Sequence, residues 1–224
     1  DGDTYKKVPH HDRVLMKPIG GEPVELTKTE QRFAGLDWIE GGGRVLVSED
    51  DDDKHWYTVT LLDADDRSVA PRRVSSLSSD DRYNDPGNPV YTVLPSGAYA
   101  VREQKGAIFM AGEGASPRGN RPFIDRLDLG TLKTERWFRS SPDALETFLG
   151  WIDPASRRFL TRRESVTDPP NVYLRSLGGK VATAAAGEAA YKSTARQITR
   201  FTDPTPQLRQ VSKRLVSYER PDGV

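Results

Sequence analysis

Leu36-Asp37-Trp38-Ile39-Glu40 recurs 113 residues later as Leu149-Gly150-Trp151-Ile152-Asp153. Midway between the two copies lies a third apolar stretch, Tyr91-Thr92-Val93-Leu94, so the chain repeats about every 56 residues. Internal repeats with a period near 50 residues are typical of propellers and solenoids, in which each repeat is one supersecondary unit.

Each copy is followed by the same succession of elements. A turn with glycine or proline leads to a second apolar stretch, at residues 44–48, 99–102 and 158–161. A third stretch places an aromatic residue four positions before a leucine, in the pairs Tyr57 and Leu61, Phe123 and Leu127, and Tyr173 and Leu177. Even spacing puts both members of a pair on one face of a strand. A fourth strand is predicted at residues 72–74, 135–138 and 197–201.

Four short antiparallel strands in each period are the sequence form of a β-propeller blade. We therefore predict an all-β partial propeller, with a β-sandwich of coincidental spacing as the alternative. The predicted segments are the end of a preceding blade at 1–32, blades at 33–80, 88–140 and 146–202, and a linker at 203–224. The best helix candidate is the alanine-rich segment 182–190.

Composition excludes several classes of partner. Lysine and arginine number 33, as do aspartate and glutamate, so the net charge of zero favours neither nucleic acid nor an anionic membrane. The mean hydropathy is −0.67, and no apolar stretch is long enough for a membrane span. The chain has no cysteine, which rules out disulfides and thiolate metal sites. An incomplete ring of blades would expose apolar surface at both ends, so these ends are expected to pack against other chains, by self-association for example, or against the rest of the same protein.

Four motifs could suggest an active or binding site, and none is complete. Gly114-Ala115-Ser116-Pro117-Arg118-Gly119 departs from the Gly-x-Ser-x-Gly elbow, because its second glycine comes one place late. The histidines, His10, His11 and His55, are interpreted as solvated loop residues. The acidic run 49–53 lacks the ligand spacing of an EF-hand, and Gly112-Glu113-Gly114 lacks the context of a nucleotide-binding loop. No catalytic, cofactor or metal residue is predicted. The tryptophans, Trp38, Trp56, Trp137 and Trp151, are expected to pack in the core.

Several segments resemble one family when they are taken in order. They are Phe33-Ala34-Gly35-Leu36-Asp37-Trp38, Tyr83-Asn84-Asp85-Pro86-Gly87-Asn88-Pro89, the stretch 114–123, and the tail 198–224, which ends Arg220-Pro221-Asp222-Gly223-Val224. They are similar to the glutamyl endopeptidase branch of the prolyl oligopeptidase family of serine peptidases. The resemblance implies a propeller that gates peptide access to a Ser-Asp-His triad. That triad would lie in an α/β-hydrolase domain outside this chain, toward which 203–224 would lead.

The same resemblance suggests where a peptide or the peptidase domain would be met. In a blade, the loops between strands two and three share a face with the loops between blades. The segments 83–89 and 112–122 are predicted to lie on that face, so Tyr83, Asp85, Arg118 and Arg121 are the candidates for contact with substrate or with the peptidase domain. Either arginine could bind an acidic side chain, or could instead form ion pairs or dock the two domains.

Two functions remain open at this point. The chain is either the non-catalytic propeller of such a peptidase or a propeller that binds protein or glycan without catalysis. The use of alanine and arginine suggests a bacterial periplasm or cytoplasm, and the resemblance allows the chloroplast stroma.

Overall fold

The computed structural model describes residues 8–211 together with 214, 216, 218, 219 and 221. Within them the chain is all-β, with two short 3-10 helices at Asp52–Lys54 and Pro206–Gln210. The strands are β1 Asp12–Met16, β2 Val24–Thr29, β3 Arg32–Trp38, β4 Arg44–Asp51, β5 Trp56–Asp63, β6 Arg72–Ser78, β7 Asn88–Pro89, β8 Tyr91–Val93, β9 Tyr99–Val101, β10 Glu103–Gln104, β11 Ala107–Gly112, β12 Phe123–Asp128, β13 Thr134–Arg139, β14 Leu145–Asp153, β15 Arg158–Glu164, β16 Asn171–Lys180 and β17 Tyr191–Gln197.

Three sheets are antiparallel meanders in which each strand pairs with its neighbours in sequence. Their orders are β3-β4-β5-β6, β10-β11-β12-β13 and β14-β15-β16-β17, and β7 adds to β11. Two further pairs, β1-β2 and β8-β9, form two-stranded sheets. A four-stranded meander is the blade unit of a propeller, so the predicted fold class is confirmed.

The chain divides into two compact units. The first comprises the described part of Asp1–Pro86 with Tyr91–Glu103, and it holds β3–β6. The second comprises Gly87–Val90 with the described part of Gln104–Val224, and it holds β11–β17.

The two tryptophan motifs occupy the same place in their sheets. Trp38 is on the first strand of its sheet and pairs with Val45, while Trp151 is on the first strand of its own sheet and pairs with Phe159. Val45 and Phe159 are each the second residue of the second strand, so both tryptophans stand at the same register. The predicted equivalence of the two motifs is confirmed.

The third strand of each sheet buries its leucine. Leu61 on β5, Leu127 on β12 and Leu177 on β16 are all buried. Each follows its aromatic partner by four residues on one strand, as the even spacing predicts.

The cores of the two units differ in kind. The first unit packs aliphatic side chains, with Val45, Val47 and Leu62 buried together. The second unit packs aromatic rings, and the ring centroids of Phe109 and Trp151 lie 4.7 Å apart. Around them lie Trp137, Phe138, Phe148, Phe159 and Tyr191. Tilted and edge-to-face ring pairs of this kind add to the free energy gained from burial alone.

Core packing of the tryptophans is confirmed for two of the four. Trp137 and Trp151 join the aromatic core, with their ring centroids 6.1 Å apart. The prediction is wrong for Trp38 and Trp56, which are 41% and 37% exposed. The indole of Trp56 instead donates a hydrogen bond of 2.8 Å from Nε1 to Ser76 Oγ.

The strands of the middle repeat differ from the prediction. Residues 91–94 and 99–102 do form strands, but β8 and β9 pair only with each other and belong to the first unit. The strand that pairs with β12 is β11, which the sequence analysis treated as loop. β9 is drawn to the first unit because Val101 bridges Ile39 and accepts a hydrogen bond of 2.8 Å from Glu40 N.

The last strand of the third repeat is also earlier than predicted. It is β17 at Tyr191–Gln197, and residues 198–201 continue it without being a strand. The reason is buried Asn171, whose Oδ1 accepts hydrogen bonds from Thr199 Oγ1 at 2.9 Å and Phe201 N at 2.8 Å. Hydrogen bonds to the Asn171 side chain therefore replace the backbone hydrogen bonds of strand pairing from residue 199 onward. The predicted helix at 182–190 is wrong as well, since the segment is an irregular loop.

The predicted segment boundaries remain predictions. Residues 1–7 of the first segment and residues 212, 213, 215, 217, 220 and 222–224 of the family-like tail lie outside the described part of the chain.

Candidate functional site

The loop between β11 and β12 is closed by glycines at its base. Gly114 has a φ of +60°, and a Cβ added there would lie 2.2 Å from the carbonyl oxygen of Arg121. Arg121 N donates a hydrogen bond of 2.9 Å back to Gly114 O. A Cβ on Gly112 would lie 2.6 Å from Cζ of Phe123. Gly114 is therefore required by the close approach of the Arg121 backbone, and Gly112 by the ring of Phe123 that packs over it.

A second family-like glycine packs against the same strand. Gly87 has a φ of +76°, and a Cβ there would lie 2.5 Å from the carbonyl oxygen of Ala111 on β11. Asn88 and Pro89 then pair with β11 as β7. The segments 87–89 and 112–122 thus meet at one end of β11, within the second unit.

Arg121 is buried and fully engaged at the base of this loop. Its Nη1 and Nη2 donate to the two carboxylate oxygens of Glu188 at 2.6 and 2.9 Å, and its Nε donates to Ser140 O at 2.9 Å. This fork geometry is the strongest kind of arginine–carboxylate pair. The hydrogen bond from Arg121 holds the pKa of Glu188 below its ordinary value, and the nearby charge of Arg139 adds to the effect.

Two more arginines surround this pair. Arg136 forms its own fork on Asp125, with distances of 2.9 and 3.0 Å, and Arg139 Nη1 donates to Gly187 O at 2.7 Å. Burial lowers the pKa of Arg139, and the charges of Arg121 and Arg136 lower it further. Three arginines thus face two carboxylates, which leaves one excess positive charge beside the loop.

The tip of the loop carries the other predicted arginine. Arg118 is exposed, and its guanidinium makes no ion pair with any residue that the structure describes. Ser116 Oγ donates a hydrogen bond of 2.6 Å to Gly119 O and so closes the turn beneath Arg118. Ser116 Oγ also accepts a hydrogen bond of 3.3 Å from Arg118 N, so both of these hydrogen bonds of the hydroxyl stay within the turn.

Tyr83 and Asp85 lie in the first unit, whereas Arg118 and Arg121 lie in the second. Tyr83 is 68% exposed, and Asp85 is exposed as well. Burial raises the pKa of Tyr57, and the charge of Asp85 raises it further. Contact of these four residues with substrate or with a second domain stays a prediction.

The remaining motifs have local partners. His55 Nδ1 lies 3.1 Å from Asp80 Oδ2. Glu49, in the acidic run, accepts hydrogen bonds from the backbone N–H groups of Glu30 and Gln31. In the part of the chain that the structure describes, no group of three or more histidine and acidic side chains could hold a metal ion. A search of the same residues finds no helix long and apolar enough to cross a membrane.

Sequence reasoning missed the partners of Arg121. Glu188 lies 67 residues away in the segment predicted as a helix, and it is the one acidic residue in 182–190. An isolated Gly-Glu pair within an alanine-rich stretch was the available signal. No local pattern identified Ser140, which contributes only a backbone carbonyl.

Two relatives match the whole chain. A probable chloroplastic glutamyl endopeptidase of Oryza sativa subsp. japonica is 31% identical over 246 aligned residues, and its namesake in Arabidopsis thaliana is 28% identical over 247. The chain spans 24% of the length of each. These relatives confirm the similarity to glutamyl endopeptidases.

The other comparisons add little. No family model matches the chain. TolB from Acinetobacter baumannii aligns with a TM-score of 0.36 at 14% identity, over 79% of this chain and 44% of TolB.

Proposed function

We propose that this chain is the non-catalytic β-propeller segment of a serine peptidase of the prolyl oligopeptidase family. In this proposal it restricts the access of peptides to a Ser-Asp-His site that lies outside the chain. The carrying observation is the match of the whole chain to glutamyl endopeptidases, of which it spans 24%.

The segment 114–119, which is similar to a nucleophile elbow, lacks the hydrogen-bond arrangement that a catalytic serine needs. Acyl transfer by serine needs a base within hydrogen-bond reach of the hydroxyl and an oxyanion hole. Ser116 Oγ is instead used to close its own turn, and Pro117 supplies no backbone N–H.

We propose different roles for the two loop arginines. Arg121 anchors the loop, because its donors are taken by Glu188 and Ser140. Arg118 stands exposed at the tip, where it can meet an acidic side chain or the peptidase domain.

The first experiment asks where the nucleophile is. The full-length protein and the 224-residue chain are each treated with a fluorophosphonate that labels activated serines. We expect labelling of the full-length protein at a serine outside this chain, and none of the chain alone. Labelling of Ser116 would contradict the proposal. An unlabelled full-length protein without turnover would favour the binding-module alternative.

The second experiment tests Arg118 in the full-length protein. Arg118→Ala should lower kcat/KM for peptides with an acidic residue at the cleaved bond by about 10-fold, the scale of a lost charged hydrogen bond, with less effect on neutral peptides. Arg196→Ala, which removes an exposed arginine on β17, is the matched control. Equal losses on both substrates would indicate domain docking, and no loss would remove Arg118 from the site.

A further inference from the structure

A cleft of about 290 Å³ lies in the second unit, at the end of β11–β13 opposite the loop of Arg121. Its lining joins the β10–β11 turn, the β14–β15 turn and the strands β12, β13 and β17. The charged lining residues are Lys105, Arg126, Glu135 and Arg157, and the aromatic ones are Trp137 and Tyr191. Its volume is at the lower limit for small-molecule sites.

The acidic residue of the cleft, Glu135, is ionised, and its charge is already balanced by hydrogen-bond donors. Glu135 Oε2 accepts hydrogen bonds from Trp137 Nε1 at 2.9 Å and from Tyr191 OH at 3.1 Å, and Oε1 accepts one from Lys180 Nζ at 2.5 Å. Burial alone would raise the pKa of Glu135, but these hydrogen bonds lower it below its ordinary value. Glu135 therefore stays ionised and paired, while the other charges of the lining are all positive.

Arg157, which lines the cleft, has a backbone conformation that is unfavourable for arginine. Its φ is +55°, in the left-handed region that residues other than glycine, asparagine and aspartate seldom adopt. The corresponding turn between β3 and β4 has Gly43 there, with a φ of +74°, and an arginine follows in both turns. Among the described residues His55, Lys105 and Leu132 share this conformation with Arg157, and Lys105 and Arg157 both line the cleft.

The side chain of Arg157 is oriented by the aromatic rings of the cleft. Its Cζ lies 4.6 Å from the ring centroid of Tyr191 and 5.1 Å from that of Trp137. Stacking fixes the guanidinium plane and leaves its N–H donors at the edge, and among the described residues no carboxylate pairs with them. A fixed, unpaired guanidinium is preorganised to bind an oxyanion.

The other two cations stand beside it. Lys105 is exposed on its turn, with a φ of +50°, and its carbonyl accepts a hydrogen bond of 3.2 Å from Arg126 Nη2. Arg126 Nη1 also lies 3.8 Å from Asp128 Oδ2, which is a long ion pair. The hydrogen bond from Arg126 to the Lys105 carbonyl holds the Arg126 side chain against the β10–β11 turn. Both cations therefore line the same cleft as Arg157 and add to the positive potential there.

We propose that this cleft binds a small oxyanion, a carboxylate or a phosphate group, between Lys105, Arg126 and Arg157. The site is separate from the loop of Arg118 and does not depend on the proposed peptidase role.

The test follows the indole N–H signal of Trp137 by NMR while inorganic phosphate or glutarate is added to the full chain at low ionic strength. Trp137→Phe assigns the signal. We expect a saturable shift in the millimolar range, and the anion that produces it identifies the class of ligand. Glutaramide, which is neutral, should produce no saturable shift. The absence of saturation with both anions would overturn the proposal.

The matched variants separate a site from general charge. Arg157→Gly removes the cation and relieves the backbone, and it should raise Kd by 10-fold or more. Arg158→Gln removes the neighbouring exposed arginine and should leave Kd within about twofold. Equal weakening by both variants would overturn the proposal. If Arg157→Gly fails to fold, Lys105→Gln on the exposed turn should still raise Kd at least about threefold, and an unchanged Kd would contradict the site.

Discussion

The sheet β3–β6 and the sheet β14–β17 share a strand order and a tryptophan motif on the first strand, yet the two motifs face different surroundings. Trp38 is 41% exposed beside an aliphatic core, whereas Trp151 is packed against Phe109, Phe148 and Phe159. Phe109 comes from another sheet, on β11. The repeat therefore determines where a residue stands in its own sheet, and neighbouring strands determine whether its side chain is covered.

The position five residues before each tryptophan shows the same contrast more strongly. In the first sheet it is Phe33, which is 42% exposed, and in the third it is Glu146, which is 1% exposed. The buried carboxylate accepts hydrogen bonds from Arg175 Nε and from Thr161 Oγ1, both at 2.6 Å. A buried charge is tolerated only when it is paired and fully hydrogen-bonded, as Glu146 is.

The largest expected effect comes from breaking this buried pair. Arg175→Met should lower the free energy of unfolding by about 3 kcal/mol, because it leaves Glu146 charged and buried with only the more distant Arg163, 3.9 Å away. Urea unfolding measures the loss. The double variant Glu146→Gln with Arg175→Met should recover at least half of it, since the charge that then loses its partner, Arg163, is 28% exposed and stays solvated.

The corresponding change in the first sheet is the control. Phe33→Ala should cost less than about 1 kcal/mol, because the ring is already largely in water. A loss for Arg175→Met no larger than that for Phe33→Ala would contradict the contrast between the two positions.

The loops between the third and fourth strands also differ. In the first sheet the loop closes on itself, with Asp63 Oδ1 accepting hydrogen bonds from Asp65 N and Asp66 N. In the third sheet the loop reaches along β13, where Ala190 N donates to Arg136 O and Glu188 binds Arg121. Only the second arrangement links two sheets.

The next largest loss in the free energy of unfolding is therefore expected for Glu188→Gln. Its side chain is 40% exposed, so solvent reduces the gain from the pair, and Glu188→Gln should cost about 1–2 kcal/mol. Asp66→Asn, in the self-closed loop, should cost less. A smaller loss for Glu188→Gln than for Asp66→Asn would contradict a bridging role.

The pH dependence of stability tests the pair of Glu188 and Arg121. Because the pKa of Glu188 is lowered in the folded state, its contribution to stability is present above its ordinary value of 4.5 and is lost as the pH falls through the folded pKa. The difference in stability between the parental chain and Glu188→Gln should therefore narrow as the pH is lowered from 6 to 3 in urea unfolding. A constant difference would show that the charge is not involved.

The sequence predicted features that a single strand encodes. The tryptophan register and the buried Leu61, Leu127 and Leu177 follow from apolar spacing, which acts within one strand. β11 was missed because Ala107-Ile108-Phe109-Met110 is buried on both faces and shows no alternation. The end of β17 was misplaced because the side chain of Asn171, distant in sequence, replaces the ladder there.

The candidate site was predicted only in part for the same reason. The sequence indicated the loop 112–122 and its arginines, because glycines and prolines mark loops. It could not assign different roles to Arg118 and Arg121. That difference depends on Glu188, which is 67 residues from Arg121 in sequence and is brought to it by the packing of two sheets.

The smallest expected effect concerns Trp151 itself. Its indole Nε1 is buried and makes no hydrogen bond with the residues that the structure describes. Trp151→Phe gives up contact area at a cost of about 1–2 kcal/mol, but it also removes an unpaired buried donor, which returns about 1–3 kcal/mol. The two contributions nearly cancel, so the free energy of unfolding of Trp151→Phe in urea should lie within about 1 kcal/mol of that of the parental chain.

Trp137→Phe is the control in the same cluster, because Trp137 Nε1 donates to Glu135 at 2.9 Å. That variant loses ring area and a charged hydrogen bond together, and it should cost clearly more. Equal losses for both variants would mean that the N–H of Trp151 has a partner after all, and that aromatic packing alone separates Trp151 from Trp38.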